Sequence, residues 1–139
     1  MDKKQFITLL LQRRKREKSM KTLKISADNE ISITDVNFDD FKSIQKALGG
    51  HFETVHTAKM SNYFQKPVIM LVDEDGHFKN LSLNRFRSWM YDMPRHDSPI
   101  LGDVLLAEAR YEDIMAVQEP EKLMEKLLND FEFLKKEKR

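Results

Sequence analysis

The sequence predicts an α+β fold in which a small mixed or antiparallel sheet packs with one central helix and terminal helices. Three observations carry this prediction. Apolar residues alternate with polar ones over residues 22–34, recur every three or four residues over 37–48, and run unbroken over 67–72. Alternation is typical of half-buried strands, the three- and four-residue repeat indicates a helix, and the unbroken run favours a strand covered on both faces.

The 139 residues are predicted to form three parts. We expect a basic helical arm over residues 1–19, an α+β core domain over 20–110, and a C-terminal amphipathic helix over 111–139 that packs on the core. This length is sufficient for one apolar core without covalent cross-links. The chain contains no cysteine, so thiolate chemistry is excluded and a reducing, cytoplasmic location is expected.

The arm is predicted to be helical over residues 3–18, with Phe6, Leu9 and Leu10 on one apolar face that docks. Its apolar run is too short for a signal peptide or a membrane span, and the basic cluster follows it instead of preceding it. No membrane association is therefore expected.

Charge distinguishes the first 27 residues, which comprise the arm and the first predicted strand, from the rest of the chain. Residues 1–27 carry nine lysines and arginines against two acidic residues, whereas the remainder carries 15 basic and 21 acidic residues. A basic cluster of this kind neutralises phosphates, so nucleic-acid or partner binding is one interpretation. A solvated helical face, or an arm folded onto the acidic body, are the alternatives. The cluster consists of Arg13, Arg14, Lys15 and Arg16.

The core is predicted to begin with a β-hairpin. Leu23 and Ile25 lie in its first strand, Ile31 and Ile33 lie in its second, and residues 27–29 offer turn chemistry between them.

A helix is predicted next, over residues 37–48. Asn37 is the expected N-cap, and Gly49 ends the helix because glycine readily adopts the left-handed conformation. The expected apolar face consists of Phe38, Phe41, Ile44 and Leu48.

Further strands are expected along the chain. Residues 51–60 alternate, residues 67–72 form the central strand, and residues 73–76 form a hairpin turn that leads to a strand over 77–83. Another strand is predicted over 99–109, with a bulge or bend at Gly102.

Two more helices are predicted. Residues 84–91 form a short helix with an apolar stripe of Phe86, Trp89 and Met90. Pro120 begins a stronger helix whose wide apolar face extends to Leu134. This face packs on the sheet, on the arm or on a second copy, so a monomer or a homodimer is expected.

The order of several segments carries a resemblance. The chain resembles a family of small proteins from phages, plasmids and other mobile elements that is curated as a domain of unknown function. The resemblance covers residues 20–109 and implies a mobile-element setting, with no established activity. Its matching segments are the hairpin start, the helix ending at Gly49-Gly50 before residues 53–55, and residues 72–76, 83–85 and 100–104.

Asn84, Arg85 and Asp103 are the candidate polar site of this core. Arginine offers a rigid, two-pronged donor fork, so a small-anion or nucleotide site is one interpretation. The favoured alternative is local: Asn84 caps the short helix, Asp103 occupies a bulge, and Arg85 pairs with a surface carboxylate.

A second cluster follows Asn84 along the chain. Trp89 lies among aromatic and arginine residues of the kind that concentrate at protein interfaces, although helical spacing also predicts ordinary core packing. The outward, partner-binding members are expected to be Arg87, Tyr91 and Arg95, with Arg85 and Trp89 beside them.

No catalytic or metal-binding pattern is present in the sequence. The four histidines lack ligand spacing, and the acidic turn at 73–76 lacks the acidic residue that a calcium loop needs near its twelfth position. No nucleophile–base motif or phosphate-binding glycine loop occurs. We therefore expect no enzyme activity, no cofactor and no metal.

The expected function is that of a small accessory protein which binds and inhibits a host protein or nucleoprotein, for example in counter-defence against CRISPR systems. Charge complementarity is its physical basis. A nucleic-acid-binding module that uses the arm is the first alternative, and an anion or nucleotide binder around Asn84 is the second.

Overall fold

The computed structural model describes residues 2–7, 19–73, 84–90, 102–110 and 113–137. Within these ranges, seven strands form one mixed sheet and four helices pack on its two faces, with a further helical turn at residues 3–7. The predicted α+β class is confirmed. The strands are β1 (Ser19–Ile25), β2 (Glu30–Asn37), β3 (Phe52–Val55), β4 (Val68–Asp73), β5 (Val104–Arg110), β6 (Asp113–Ala116) and β7 (Lys135–Lys136). The helices are α1 (Phe41–Leu48), α2 (Ala58–Phe64), α3 (Arg85–Met90) and α4 (Pro120–Asp130).

The sheet has the order β3-β4-β5-β1-β2-β7, and β6 pairs with the second half of β5. All pairings are antiparallel except that of β7, which runs parallel to β2. The order places β4 inside the sheet, paired with β3 on one side and with β5 on the other. Side chains of β4 alternate between two apolar clusters, with Val68, Met70 and Val72 on one face and Ile69 and Leu71 on the other. The prediction of a strand covered on both faces is therefore confirmed, although β5 and β1 occupy the middle of the sheet.

The two faces carry different numbers of helices. Residues of α2, α3 and α4 share one apolar cluster with the sheet, whereas α1 alone contributes Ile44 and Leu48 to the other. The three-helix face is consequently the one on which side chains from distant parts of the sequence meet.

The N-terminal hairpin is confirmed. Ile25 pairs with Ile31 and Leu23 with Ile33, so the alternating apolar residues share one face. Asn29 takes the left-handed conformation in the turn, with φ of 66°. Asparagine tolerates this conformation better than most residues, which explains the tight connection.

Helix α1 begins later than predicted. Asp40 is its N-cap and accepts a hydrogen bond from the Lys42 amide, whereas Asn37 ends β2 and accepts one from the Asp39 amide. Gly49 ends the helix with φ of 88°, as predicted. Phe41, expected on the apolar face, is 71% exposed and stacks on Phe52 with ring centroids 5.9 Å apart.

The strand predicted over residues 51–60 is wrong beyond Val55. Thr57 caps α2 by accepting a hydrogen bond from the Met60 amide, and Met60 and Phe64 are its buried residues. Thr57 also donates to the carbonyl oxygen of Met90 at 2.6 Å, which fixes α2 against α3.

The C-terminal part is not one helix. Residues 113–116 form β6, α4 begins at Pro120 as predicted, and it ends at Asp130. The backbone then extends, so Phe131 and Leu134 enter the core from beyond the helix and lead into β7.

The remaining predictions concern Gly102, the arm and residues 74–83. Gly102 lies before β5 with φ of 86°, not within the strand. Phe6, which is expected to belong to the docked apolar face of the arm, is 56% exposed. Outside the described residues lie the remainder of the helix predicted for the arm, the turn predicted at 74–76 and the strand predicted over 77–83.

Candidate functional site

A buried polar junction joins the start of α3 to the end of β1 and to the residues just before β5. Asn84 is fully buried, and its Nδ2 donates to the carbonyl oxygens of Ile25 at 3.2 Å and Gly102 at 2.9 Å. Its Oδ1 accepts from the Arg87 amide at 2.9 Å, as a helix cap does. Asn84 thus performs the local role that the sequence favours for it.

Asp103 completes the polar junction. One carboxylate oxygen accepts from the Ala27 amide at 3.1 Å, and the other lies 3.5 Å from Lys24 Nζ. The aspartate therefore holds the hairpin turn against the start of β5.

Arg87 is buried in the polar junction, and the prediction that it points outward is wrong. Only 2% of it is exposed, and Nη1 donates to the carbonyl oxygen of Asp103 at 3.0 Å. Burial lowers the pKa of Arg87 to about 10, and the carboxylates of Asp103, Asp73 and Glu53 oppose that shift. The guanidinium remains protonated at neutral pH because these acidic neighbours offset its desolvation.

Arg85 does not join Asn84 and Asp103. It is exposed, and its guanidinium carbon lies 4.6 Å from the ring centroid of Phe133. Among the described residues it forms no hydrogen bond or ion pair with Asn84 or Asp103. The polar junction stabilises the fold through the hydrogen bonds that Asn84, Asp103 and Arg87 form within the chain.

A second cluster, on the three-helix face, has a different character. Three cations lie over three aromatic rings: Lys59 Nζ is 3.8 Å from the Trp89 centroid, Lys126 Nζ is 4.0 Å from that of Tyr63, and Arg85 lies over Phe133. We call these six residues the cation–aromatic surface. Such pairs contribute about 0.5–1 kcal/mol each when exposed.

Phe131 organises this surface from beneath. It is buried, and its ring centroid lies 5.0 Å from that of Trp89, 5.5 Å from Tyr63 and 5.7 Å from Phe133. Because Phe131 follows the C-terminus of α4, the end of that helix holds rings from α2, α3 and the following turn together.

Tyr63 and Lys126 share a carboxylate. The Tyr63 hydroxyl donates to Asp130 Oδ2 at 2.6 Å, and Lys126 Nζ donates to the same oxygen at 2.8 Å. Burial, followed by the hydrogen bond and charge of Asp130, raises the pKa of Tyr63 well above its ordinary value. The hydrogen bonds from Lys126 and Tyr63 lower the pKa of Asp130.

The surface remains accessible at its rings and cations. Trp89 is 40% exposed, Tyr63 and Phe133 are half-buried, and Arg85 and Lys126 are exposed. Accessible aromatic and cationic groups in one place favour binding to another molecule.

The sequence placed Arg85 and Trp89 in one cluster, and the structure brings them onto this surface. Sequence patterns did not indicate Lys59, Tyr63, Lys126 or Phe133 as binding residues. The only sequence signals near them were the Thr57 cap and the helical spacing after Pro120. Other predicted binding residues lie outside the described residues: Arg13, Arg14, Lys15, Arg16, Tyr91 and Arg95.

The described residues contain no group of three or more histidine, aspartate or glutamate side chains arranged to hold a metal ion. No helix among them has the length and apolar character to cross a membrane.

Comparison with known proteins gives a family. No curated protein and no solved structure matches the chain. A family model described as "Domain of unknown function (DUF3846)" matches residues 20–132, from β1 through α4 and Phe131 to Glu132. The match therefore extends beyond the predicted core boundary at residue 110 and includes most of the cation–aromatic surface. The chain belongs to the DUF3846 family.

Proposed function

We propose that this chain is a non-enzymatic accessory protein of a phage or other mobile element that binds a host protein or nucleoprotein and inhibits it, with counter-defence as its setting. The setting is supported by the segments that resemble mobile-element proteins. Binding is supported by the cation–aromatic surface, which is the observation that carries the proposal.

The composition of this surface favours a protein partner. Trp89, Tyr63 and Arg85 represent the three residue types that contribute most to binding energy at protein interfaces. Their support is preorganised, because Phe131 and the Tyr63–Asp130 hydrogen bond fix the rings before a partner arrives. Preorganisation reduces the entropic cost of association.

The geometry is less suited to nucleic acid. Single-stranded binding proteins stack bases on open aromatic faces. Here Lys59 covers a face of Trp89, Lys126 covers a face of Tyr63, and Phe131 packs against both rings. A partner therefore meets ring edges and ammonium groups, an arrangement that favours carboxylates of an acidic protein surface.

Capture from a bacterial lysate tests the proposal. The full-length tagged chain is compared with Trp89→Ala and Arg85→Glu. Matched controls on the opposite helix α1 are Phe41→Ala, which removes an exposed ring, and Lys46→Glu, which reverses an exposed charge. Each sample is divided, one half is treated with nuclease, and both halves are compared by mass spectrometry.

We expect one protein to be recovered by the wild type and both controls, and to be reduced by about 30-fold with either surface variant, as for loss of a hot spot. Equal recovery with all five proteins, or recovery of nothing above background, would contradict the proposal. Recovery that nuclease abolishes would favour the alternative function in nucleic-acid binding.

A further inference from the structure

A cavity of about 260 Å³ lies beside the cation–aromatic surface, between the end of α2 and the first turns of α4. Its apolar part consists of Phe64, Val68 and Leu123. Small-molecule sites measure about 300–1,000 Å³, so this cavity is smaller than most of them. Its size is suited to one apolar side chain.

The inner polar wall of the cavity is Glu108, which is 1% exposed. One of its oxygens accepts from Arg110 Nε at 2.9 Å and Nη2 at 2.7 Å, and the other accepts from the Gln118 amide at 2.8 Å. The adjacent guanidinium and these bonds compensate the buried charge. Glu108 therefore does not repel an acidic ligand strongly.

The rim of the cavity is cationic. Lys66, Lys122 and Lys126 are exposed lining residues that outnumber the one exposed acidic lining residue, Glu119, and Lys126 also donates to Asp130. Lys122 lies 3.5 Å from Glu119, an exposed pair that contributes little and exchanges readily with other anions. Within the part of the chain that the structure describes, Lys66 has no ion pair.

Lys126 connects the cavity to the cation–aromatic surface. It lines the cavity and also lies over the ring of Tyr63, the residue that precedes Phe64 in α2. A segment that binds the cation–aromatic surface therefore continues into the cavity without crossing another structural element.

We propose that the cavity receives one apolar side chain from an acidic segment of the protein partner, while carboxylates on either side of that side chain bind the rim lysines. This inference rests on the proposed function and specifies the partner's chemistry. The apolar lining selects the buried side chain, and the lysines select its acidic neighbours. Neither part alone distinguishes this segment from other extended peptides.

A peptide titration tests the inference without an identified partner. The probe is a capped pentapeptide with a central leucine flanked by two glutamates on each side. It is added to the isotopically labelled full-length protein, and amide chemical shifts are followed by NMR. Two control peptides replace the leucine by alanine or all four glutamates by lysine.

We expect saturable shifts at Val68, Glu108 and Leu123, at least fivefold weaker binding of the alanine peptide, and no binding of the lysine peptide. The exposed substitution Lys66→Glu weakens binding of the probe at least fivefold, whereas Lys46→Glu on the opposite face leaves it unchanged. Retained shift dispersion in both variants shows that they fold.

The inference is overturned if the probe shifts no amide of the cavity, or if the lysine peptide binds equally well. It is also overturned if octanoate binds more tightly than the probe, which would indicate a small-molecule site, or if a single-stranded thymidine octamer shifts the same amides. If the peptide does not bind but the lysate capture succeeds, the cavity has no role in partner binding and the proposed function stands. The reverse result contradicts the proposed function and, with it, the assignment of the segment to a host partner, whereas the peptide specificity of the cavity stands.

Discussion

Arg85 and Arg87 are two residues apart on α3, yet they belong to regions with opposite properties. Arg87 lies in the polar junction, where it is buried and donates to a carbonyl of β5. Arg85 is exposed and rests on Phe133 in the cation–aromatic surface. Polar groups that bond within the chain hold the fold together at the polar junction, whereas Arg85 presents its guanidinium at the surface.

The largest expected effect separates these two arginines directly. Arg87→Ala is predicted to lower the free energy of unfolding by about 3–5 kcal/mol, because it removes a buried cation that interacts with the buried carboxylate of Asp73. Arg85→Ala is predicted to lower it by about 1 kcal/mol or less, as for an exposed cation–aromatic pair. Urea unfolding measures both values. Similar losses in the two variants would remove the distinction between the regions.

The next effect concerns the amide that organises the polar junction. Asn84→Ala removes a helix cap and two hydrogen bonds to carbonyl oxygens, so a loss of about 2–3 kcal/mol is expected. Asn62→Ala, at an exposed position of α2, is the control and should change stability by less than about 0.5 kcal/mol. A loss below about 1 kcal/mol for Asn84→Ala would show that the polar junction is not the stabilising region.

The smallest effect is a titration within the cation–aromatic surface. The chain has three tyrosines, and the phenol of Tyr63 is expected to ionise last in an ultraviolet titration, with Tyr63→Phe identifying its contribution. Asp130→Asn should lower the pKa of Tyr63 but leave it above the ordinary value of about 10, because burial is the larger cause.

The direction of the pH effect follows from linkage. The raised pKa of Tyr63 stabilises the fold below pH about 10, and that contribution is lost as pH rises through the folded-state pKa. The lowered pKa of Asp130 stabilises the fold above about 3.9, and that contribution is lost as pH falls through its own folded-state pKa. A phenol of Tyr63 that ionises with the other two would contradict this account.

Elements with strong local signals were predictable. Gly49 ended α1, Pro120 began α4, and the apolar run became β4, since each signal acts within a few residues of itself. Helix α2 was missed because residues 51–60 also alternate in polarity. Thr57 as a cap and the four-residue spacing of Met60 and Phe64 were the competing signals, and packing against α3 decided between them.

The two polar regions were harder to predict because they depend on topology. Arg87 is buried among carboxylates from β3, β4 and the start of β5, which no spacing in the sequence brings together. Likewise, Lys59, Trp89 and Lys126 occupy three different helices. Only the sheet order, which places those helices on one face, makes them neighbours.

The position of Phe131 near the C-terminus determines when the cation–aromatic surface can form during protein synthesis. All residues of the polar junction are present once the ribosome has added Asp103. Tyr63 and Trp89, in contrast, lack the neighbouring rings of Phe131 and Phe133 until those two residues have been added. The ribosome therefore adds Phe133, the last residue of the cation–aromatic surface, only after every residue of the polar junction and strands β1 to β6.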